Sequence, residues 1–118
     1  MHNFKELKVW KLSIELSKLI FETTKTFSNE HKFGLSSQLF RCAVSIPSNI
    51  AEGCGRKSDK ELKQFLSISL GSSFELETQI IIAKEVNLIT NEQFESINNR
   101  IIEVQKMISG LSKSIIIK

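Results

Sequence analysis

The sequence predicts an all-α chain: an antiparallel, up-down-up-down four-helix bundle whose second helix is kinked at a proline. Three observations carry this. First, the 118 residues include one proline, five glycines and no tyrosine, too few turn formers for a β-rich fold. Second, long stretches repeat apolar residues at spacings of three and four, the period of a helix. Third, the breaks between these stretches are short and carry capping residues. At this length the chain makes one domain, residues 1–118, with one core.

The first helix is expected over residues 4–27. Asn3 suits its N-cap, with Glu6 three residues on in a capping-box-like arrangement. His31-Lys-Phe-Gly34 connects it to a second helix over 35–52. That helix is expected to stop at Gly53-Cys-Gly55, where glycine supplies left-handed geometry. Ser58-Asp-Lys-Glu61 reads as a capping box opening a third helix over 59–86, with Asn87 as its C-terminal cap. Thr90-Asn-Glu-Gln93 is another such box, opening a fourth helix over 91–115. Connections this short make sequential helices antiparallel.

The fourth helix has a single apolar seam, Phe94, Ile97, Ile101, Val104, Ile108, Leu111 and Ile115, and needs one neighbouring surface. The first helix has two. At about 100° per residue, Leu7, Trp10, Ile14 and Phe21 fall on one side, and Val9, Leu12, Leu16, Leu19 and Ile20 on the other. A bundle helix needs one apolar stripe. A second one left in water is a contiguous patch of the kind that marks an interface. The pattern leaves open which stripe faces the core. The oligomer-interface candidates taken forward are Val9, Leu12, Leu16, Leu19 and Ile20, with Phe40 and Val44 on the second helix and Leu70, Phe74 and Ile81 on the third.

Pro47, the sole proline, sits inside a helical repeat, where it deletes one hydrogen bond and costs about 3 kcal/mol. Ser45, Ser48, Asn49 and Glu52 surround it. They are expected either to bond carbonyls freed near the proline and cap the helix end, with Glu52 also reaching Arg56 one turn on, or to form a polar, partly basic surface for a partner, and the two roles are compatible. Ser69, Gly71, Ser72 and Ser73 place small side chains mid-helix. They are expected to admit a neighbouring helix closely, with the segment around Pro47 the candidate neighbour.

The chain carries a net charge of +3 and a pI near 9.0, a mild pointer to polyanions. Residues 1–57 hold nine Lys and Arg against five Asp and Glu; residues 58–118 hold seven against eight. The nucleic-acid candidates are Lys5, Lys8, Lys11 and Lys18, Arg41, and the group Arg56, Lys57, Lys60 and Lys63. No known DNA- or RNA-reading motif is present, so contacts would be made to phosphate.

Catalytic chemistry finds little support. His2 and His31 are the only histidines, and neither stands at ligand spacing with Cys42 or Cys54. No catalytic residue, metal ligand or cofactor site is inferred. Two cysteines twelve residues apart on one helix lie about 18 Å apart, too far for a disulfide. Reduced thiols, the absence of a signal-peptide pattern and the absence of a long apolar run lead us to expect a cytoplasmic protein without a membrane partner or small-molecule substrate.

The runs Phe4-x-x-Leu-Lys-Val-Trp10, Phe33-Gly-Leu35, Arg41-x-Ala-Val-Ser-Ile-Pro-Ser-Asn-Ile-Ala-Glu-Gly53 and Phe65-Leu-x-Ile-x-x-Gly-Ser-x-x-Glu-Leu-Glu77 resemble the bacterial 23S rRNA intervening-sequence proteins. The likeness covers about residues 4–90. It implies a four-helix bundle assembled as a pentameric ring, encoded in insertions within ribosomal RNA genes or elsewhere in bacterial genomes. A related branch, the accessory proteins of diversity-generating retroelements, binds nucleic acid through a basic oligomer surface. The resemblance brings no enzymatic activity. The family commonly has two arginines before its Ala-Val-Ser-Ile run; here the first is Phe40 and only Arg41 remains. The expectation is therefore a non-enzymatic homo-oligomer, a pentamer, that binds RNA or DNA through pooled basic residues. The alternative is a structural or adaptor oligomer whose partner is a protein.

Overall fold

The computed structural model describes residues 3–28 and 32–117. Its four long helices are α1 (Lys8–Thr24), α2 (Ser37–Cys54), α3 (Asp59–Glu85) and α4 (Asn91–Ser114). A 3-10 turn, Phe4–Glu6, precedes α1, and a π-helical turn, Lys32–Ser36, leads into α2. His2 and His31 lie outside the described residues. Each helix packs against the two that flank it in a cycle, α1 on α2, α2 on α3, α3 on α4 and α4 on α1. Cross-links fix the directions of two pairs. Cys42 and Ile46 of α2 meet Ser72 and Ser69 of α3 in reverse order. Lys63 meets Ile115, and Glu77 meets Gln105, so α3 and α4 are antiparallel too. The bundle measures 49 × 23 × 20 Å.

The helix ends follow local chemistry, with two corrections. Thr90 and Gln93 form a complete capping box: the Thr90 hydroxyl accepts from Gln93 N–H, and the Gln93 side chain accepts from Thr90 N–H. Ser58 accepts from Glu61 N–H, but its hydroxyl donates to the Glu61 carboxylate, so that box is half closed. Asn87 closes α3 with φ 63°. Its N–H bonds the Lys84 carbonyl and that of Leu88 bonds the Ala83 carbonyl, a Schellman ending.

The first correction is at the start. The expected single helix over residues 4–27 is split: Asn3 caps only the 3-10 turn, Leu7 is extended, and α1 runs from Lys8 to Thr24. The second is at Gly53-Cys-Gly55. No glycine among the described residues has positive φ, and Gly53 lies within α2. Gly53 answers a different need. A Cβ there would stand 2.8 Å from Phe65 Cβ and 3.1 Å from Leu62 Cδ1, so a hydrogen is the largest group that fits.

Gly53 is one point along a close α2–α3 seam. Ser69 Oγ donates to the Ile46 carbonyl (2.9 Å), Ser45 and Ser72 hydroxyls bond each other (2.8 Å), and Cys42 donates to the Ser72 carbonyl (3.1 Å). Ser69, Ser72 and Ser73 are buried. These small side chains admit α2 around Pro47 as expected, whereas Gly71 faces solvent with open space around it. Helix α2 continues as α-helix through Pro47. The polar residues near it take a different structural role from the one expected. Asn49 donates to the Ser45 carbonyl (2.8 Å) and hydroxyl (3.0 Å), and Ser45 belongs to the α3 seam. Ser48 is exposed. Glu52 does pair with Arg56, at 3.0 Å.

The seam also silences both thiols. Cys42 and Cys54 are unpaired and buried. Burial, aided by the neighbouring Glu75 carboxylate, pushes the Cys42 thiol up to about 12. Burial raises Cys54 as well.

Two predictions follow from the seam. Gly53→Ala should lower the unfolding free energy by about 1–3 kcal/mol in urea titration, although alanine is the better helix former by about 1 kcal/mol. A thiol reagent at pH 8 should label neither cysteine of the native protein on the time scale that labels both in denaturant, since only the thiolate reacts. The raised Cys42 thiol stabilises the fold fully below its ordinary value of 9.0. That contribution is lost as pH climbs from there towards 12.

Candidate functional site

Which stripe of α1 faces inward is decided by burial. Val9, Leu16 and Ile20 are 4%, 0% and 0% exposed within the single chain. Leu12 and Leu19 pack against the same core. Of these interface candidates, Val9, Leu16 and Ile20 are therefore corrected: they are the bundle's own interior, joined there by the small buried Ser13 and Ser17, while Leu12 and Leu19 lie half-buried at its edge. Leu70 is likewise half-buried and packs on the core.

The other stripe is half-buried at Leu7, Trp10 and Ile14 and reaches solvent at Phe21. Phe21 is 44% exposed, and it meets Phe40 (37%) of α2 at a ring-centroid distance of 5.4 Å. Trp10, Ile14 and Phe21 of α1, with Phe40, Val44, Pro47 and Ala51 of α2, line an open apolar groove of about 590 Å³. Its far end is closed by Phe4, edge-on to Trp10 at 5.3 Å. Phe40 and Val44 thus lie at the surface. So do Phe74 (52%) and Ile81 on α3, which stand with Ile68, Ile82 and Val86 on the outer side of that helix. Along the described helices there are two unlike apolar surfaces. One is a groove between α1 and α2; the other is a ridge along α3.

The basic candidates divide by position. The 3-10 turn before α1 packs on α2, and Phe4 and Trp10 share the groove with Pro47 and Ala51. The start of α1 therefore lies beside the end of α2. Lys63 donates to the Ile115 carbonyl at 3.3 Å, tying the start of α3 to the end of α4. One pole of the bundle consequently gathers Lys5, Lys8, Lys11, Arg56, Lys57, Lys60 and Lys63. It also gathers Lys113 of α4, which pattern reading missed although antiparallel pairing of α3 and α4 implies it. Carboxylates there are Glu6, Glu52, Asp59 and Glu61. The opposite pole carries Glu22, Glu85, Glu92 and Glu95 against Lys25, Lys32 and Lys84.

Within the basic pole the cations are not equivalent. Arg56 is held by Glu52 and lies over the Phe65 ring at 4.7 Å. Lys63 is half-buried. Lys8, Lys11, Lys57 and Lys60 are exposed and make no ion pair among the described residues. Lys18 stands apart, mid-helix, beside Glu15 at 3.5 Å. Arg41 also stands apart, lining a separate cavity with Glu75.

Among the described residues, no group of three or more His, Cys, Asp or Glu is arranged to hold a metal ion. No described helix is long and apolar enough to cross a membrane. The assignment of α1 is testable. Leu16→Ala should cost about 2–5 kcal/mol of stability. Lys18→Ala, on the exposed flank of the same helix, should change it by no more than about 0.5 kcal/mol, both measured by chemical denaturation.

Comparison with curated proteins finds no match. Among solved structures, a protein of unknown function from the S23 ribosomal protein family of Bacteroides thetaiotaomicron superposes with a TM-score of 0.83. It is 33% identical, and the match covers 89% of this chain and 95% of that one. The family model for the 23S rRNA-intervening sequence protein matches residues 5–110. With the helical bundle and the Ser-Ile-Pro-Ser-Asn-Ile-Ala-Glu-Gly run of α2, this match means that the chain belongs to the 23S rRNA-intervening sequence protein family.

Proposed function

We propose that the protein is a non-enzymatic, ring-forming homo-oligomer that binds structured RNA along its pooled basic poles. The observation that carries the reading is the segregation of charge. The four helix ends around the α2–α3 connection collect most of the chain's exposed lysines, whereas Glu22, Glu85, Glu92 and Glu95 at the other pole slightly outnumber Lys25, Lys32 and Lys84. Lys8, Lys11, Lys57, Lys60 and Lys113 have their ammonium groups in solvent, the state in which a polyanion can exchange its counterions for them.

The two apolar surfaces support assembly. Exposed Phe21, Phe40 and Phe74 are large side chains that monomers rarely leave together in water. A groove and a ridge on different helices are unlike surfaces, and a contact between unlike surfaces is heterologous, closing into a ring when the rotation permits. A ring repeats the +3 chain and multiplies the field at its basic rim. The substitution of Phe40 for the family's common arginine suits the groove, where its ring meets Phe21. A protein partner in the same groove is the second reading, and the Trp10, Phe21 and Phe40 lining favours it.

Fluorescence anisotropy with a structured RNA across a salt series tests the RNA reading. The affinity should fall steeply with salt, by a log–log slope of about 0.9 per phosphate neutralised on a duplex. Lys57→Glu with Lys60→Glu should weaken binding at least tenfold and flatten the slope without changing the oligomer. Lys18→Glu, away from the pole, should change affinity by less than twofold. A flat salt dependence, or equal binding by the pole variant, would overturn the reading and leave the protein-adaptor alternative.

A further inference from the structure

A second site lies between α2 and α3, away from the basic pole. Arg41, Gln38, Ser45 and Cys42 of α2 face Glu75 and Gln79 of α3 across a cavity of about 320 Å³. This is at the lower end of the volumes, about 300–1,000 Å³, that take small ligands. We propose that this cavity binds a small zwitterion with an amine and a carboxylate, a ligand of the free amino acid class.

The argument rests on the arrangement of donors and acceptors. Helix α3 contributes two acceptors one turn apart, the Glu75 carboxylate and the Gln79 side-chain oxygen. Gln79 is nine-tenths buried, and its oxygen accepts no hydrogen bond from the protein. A buried acceptor left unmatched is costly. This oxygen has next to no accessible surface, so an incoming N–H group relieves that cost once the Gln79 side chain turns towards the cavity. Helix α2 contributes the opposite polarity, the Arg41 guanidinium, with the Gln38 amide one turn earlier.

The two charges do not cancel each other. The ion pairs among the described residues are Glu15–Lys18, Glu22–Lys25 and Glu52–Arg56, so Arg41 and Glu75 share the cavity without closing on one another. A simple anion would meet Glu75, and a simple cation would meet Arg41. A ligand carrying both charges satisfies both walls, its ammonium towards Glu75 and Gln79 and its carboxylate towards Arg41. The base of the cavity is firm, because Ser45 is fixed by Ser72 and Asn49, and Cys42 by the Ser72 carbonyl. The Cys42 thiol is buried and held protonated, so the site offers binding and no nucleophile.

The test is calorimetry of the intact protein with each of the common L-amino acids, repeated with the N-acetyl and C-terminal amide forms of the best binder. At least one free amino acid should bind saturably, and blocking either end should weaken it at least tenfold, the loss of a charge-assisted hydrogen bond. Glu75→Gln and Arg41→Gln should each weaken it as much. Both positions are exposed, so both variants should unfold at the wild-type temperature in the absence of ligand. The proposal is overturned if no amino acid binds, if blocked forms bind as well as free ones, or if the variants fold and bind like wild type. Saturable binding of guanosine monophosphate in place of any amino acid would overturn it as well.

Discussion

The close contact between α2 and α3 is the constraint on which the rest of the molecule depends. A helix carrying an interior proline gives up a backbone hydrogen bond, and this chain offsets the loss by packing. Gly53 removes the last obstacle to approach, with room for no Cβ against Phe65 and Leu62. Ser69 and Ser72 then replace apolar bulk with short hydrogen bonds to the α2 backbone and to Ser45. A seam of small residues brings two backbones together and leaves no volume for large side chains between them. The large side chains of α3 are therefore displaced outward.

That displacement links packing to function. Helix α3 carries apolar residues on two sides: Leu62, Leu66, Leu76 and Ile80 fill the core, while Ile68, Phe74, Ile81 and Ile82 stand in solvent. Likewise α1 turns Val9, Leu16 and Ile20 inward and leaves Trp10, Ile14 and Phe21 to wall a groove with α2. The bundle has more apolar surface than its own core can use, and the surplus is divided between two shapes. Charge is sorted along the perpendicular direction, to one pole of the 49 Å axis. A ring built through the sides would leave the poles free, which is the geometric basis for assigning assembly and polyanion binding to different residues.

Much of this was legible in the sequence, because helix number, order and most caps depend on local chemistry. Thr90 with Gln93, Ser58 with Glu61, and Asn87 each declare a helix end within a few residues. The pairing of Glu52 with Arg56 is equally local. Which stripe of α1 is inward was not legible, since Val9-Leu16-Ile20 and Trp10-Ile14-Phe21 are comparably apolar. The choice is made by the small Ser13 and Ser17 beside the first stripe, which let neighbouring helices approach. The role of Gly53 was missed for a similar reason. A glycine near a helix end reads as a left-handed cap, while its use as a contact point depends on Phe65, twelve residues away. The basic pole was half visible: antiparallel pairing brings Lys113 to Lys60, but Lys18 and Arg41 looked equivalent to the polar lysines until the helix axes placed them elsewhere.

The claim that two unlike apolar surfaces join copies of this chain is tested most directly by mixing two defective subunits. Phe40→Asp spoils the groove and Phe74→Asp spoils the ridge. Native mass spectrometry at micromolar concentration should find a ring for the wild type and monomers for each variant alone. The mixture should then give a one-to-one heterodimer, because the intact ridge of one variant meets the intact groove of the other. A monomeric wild type, a ring that persists in either variant, or a mixture that stays monomeric would contradict the account.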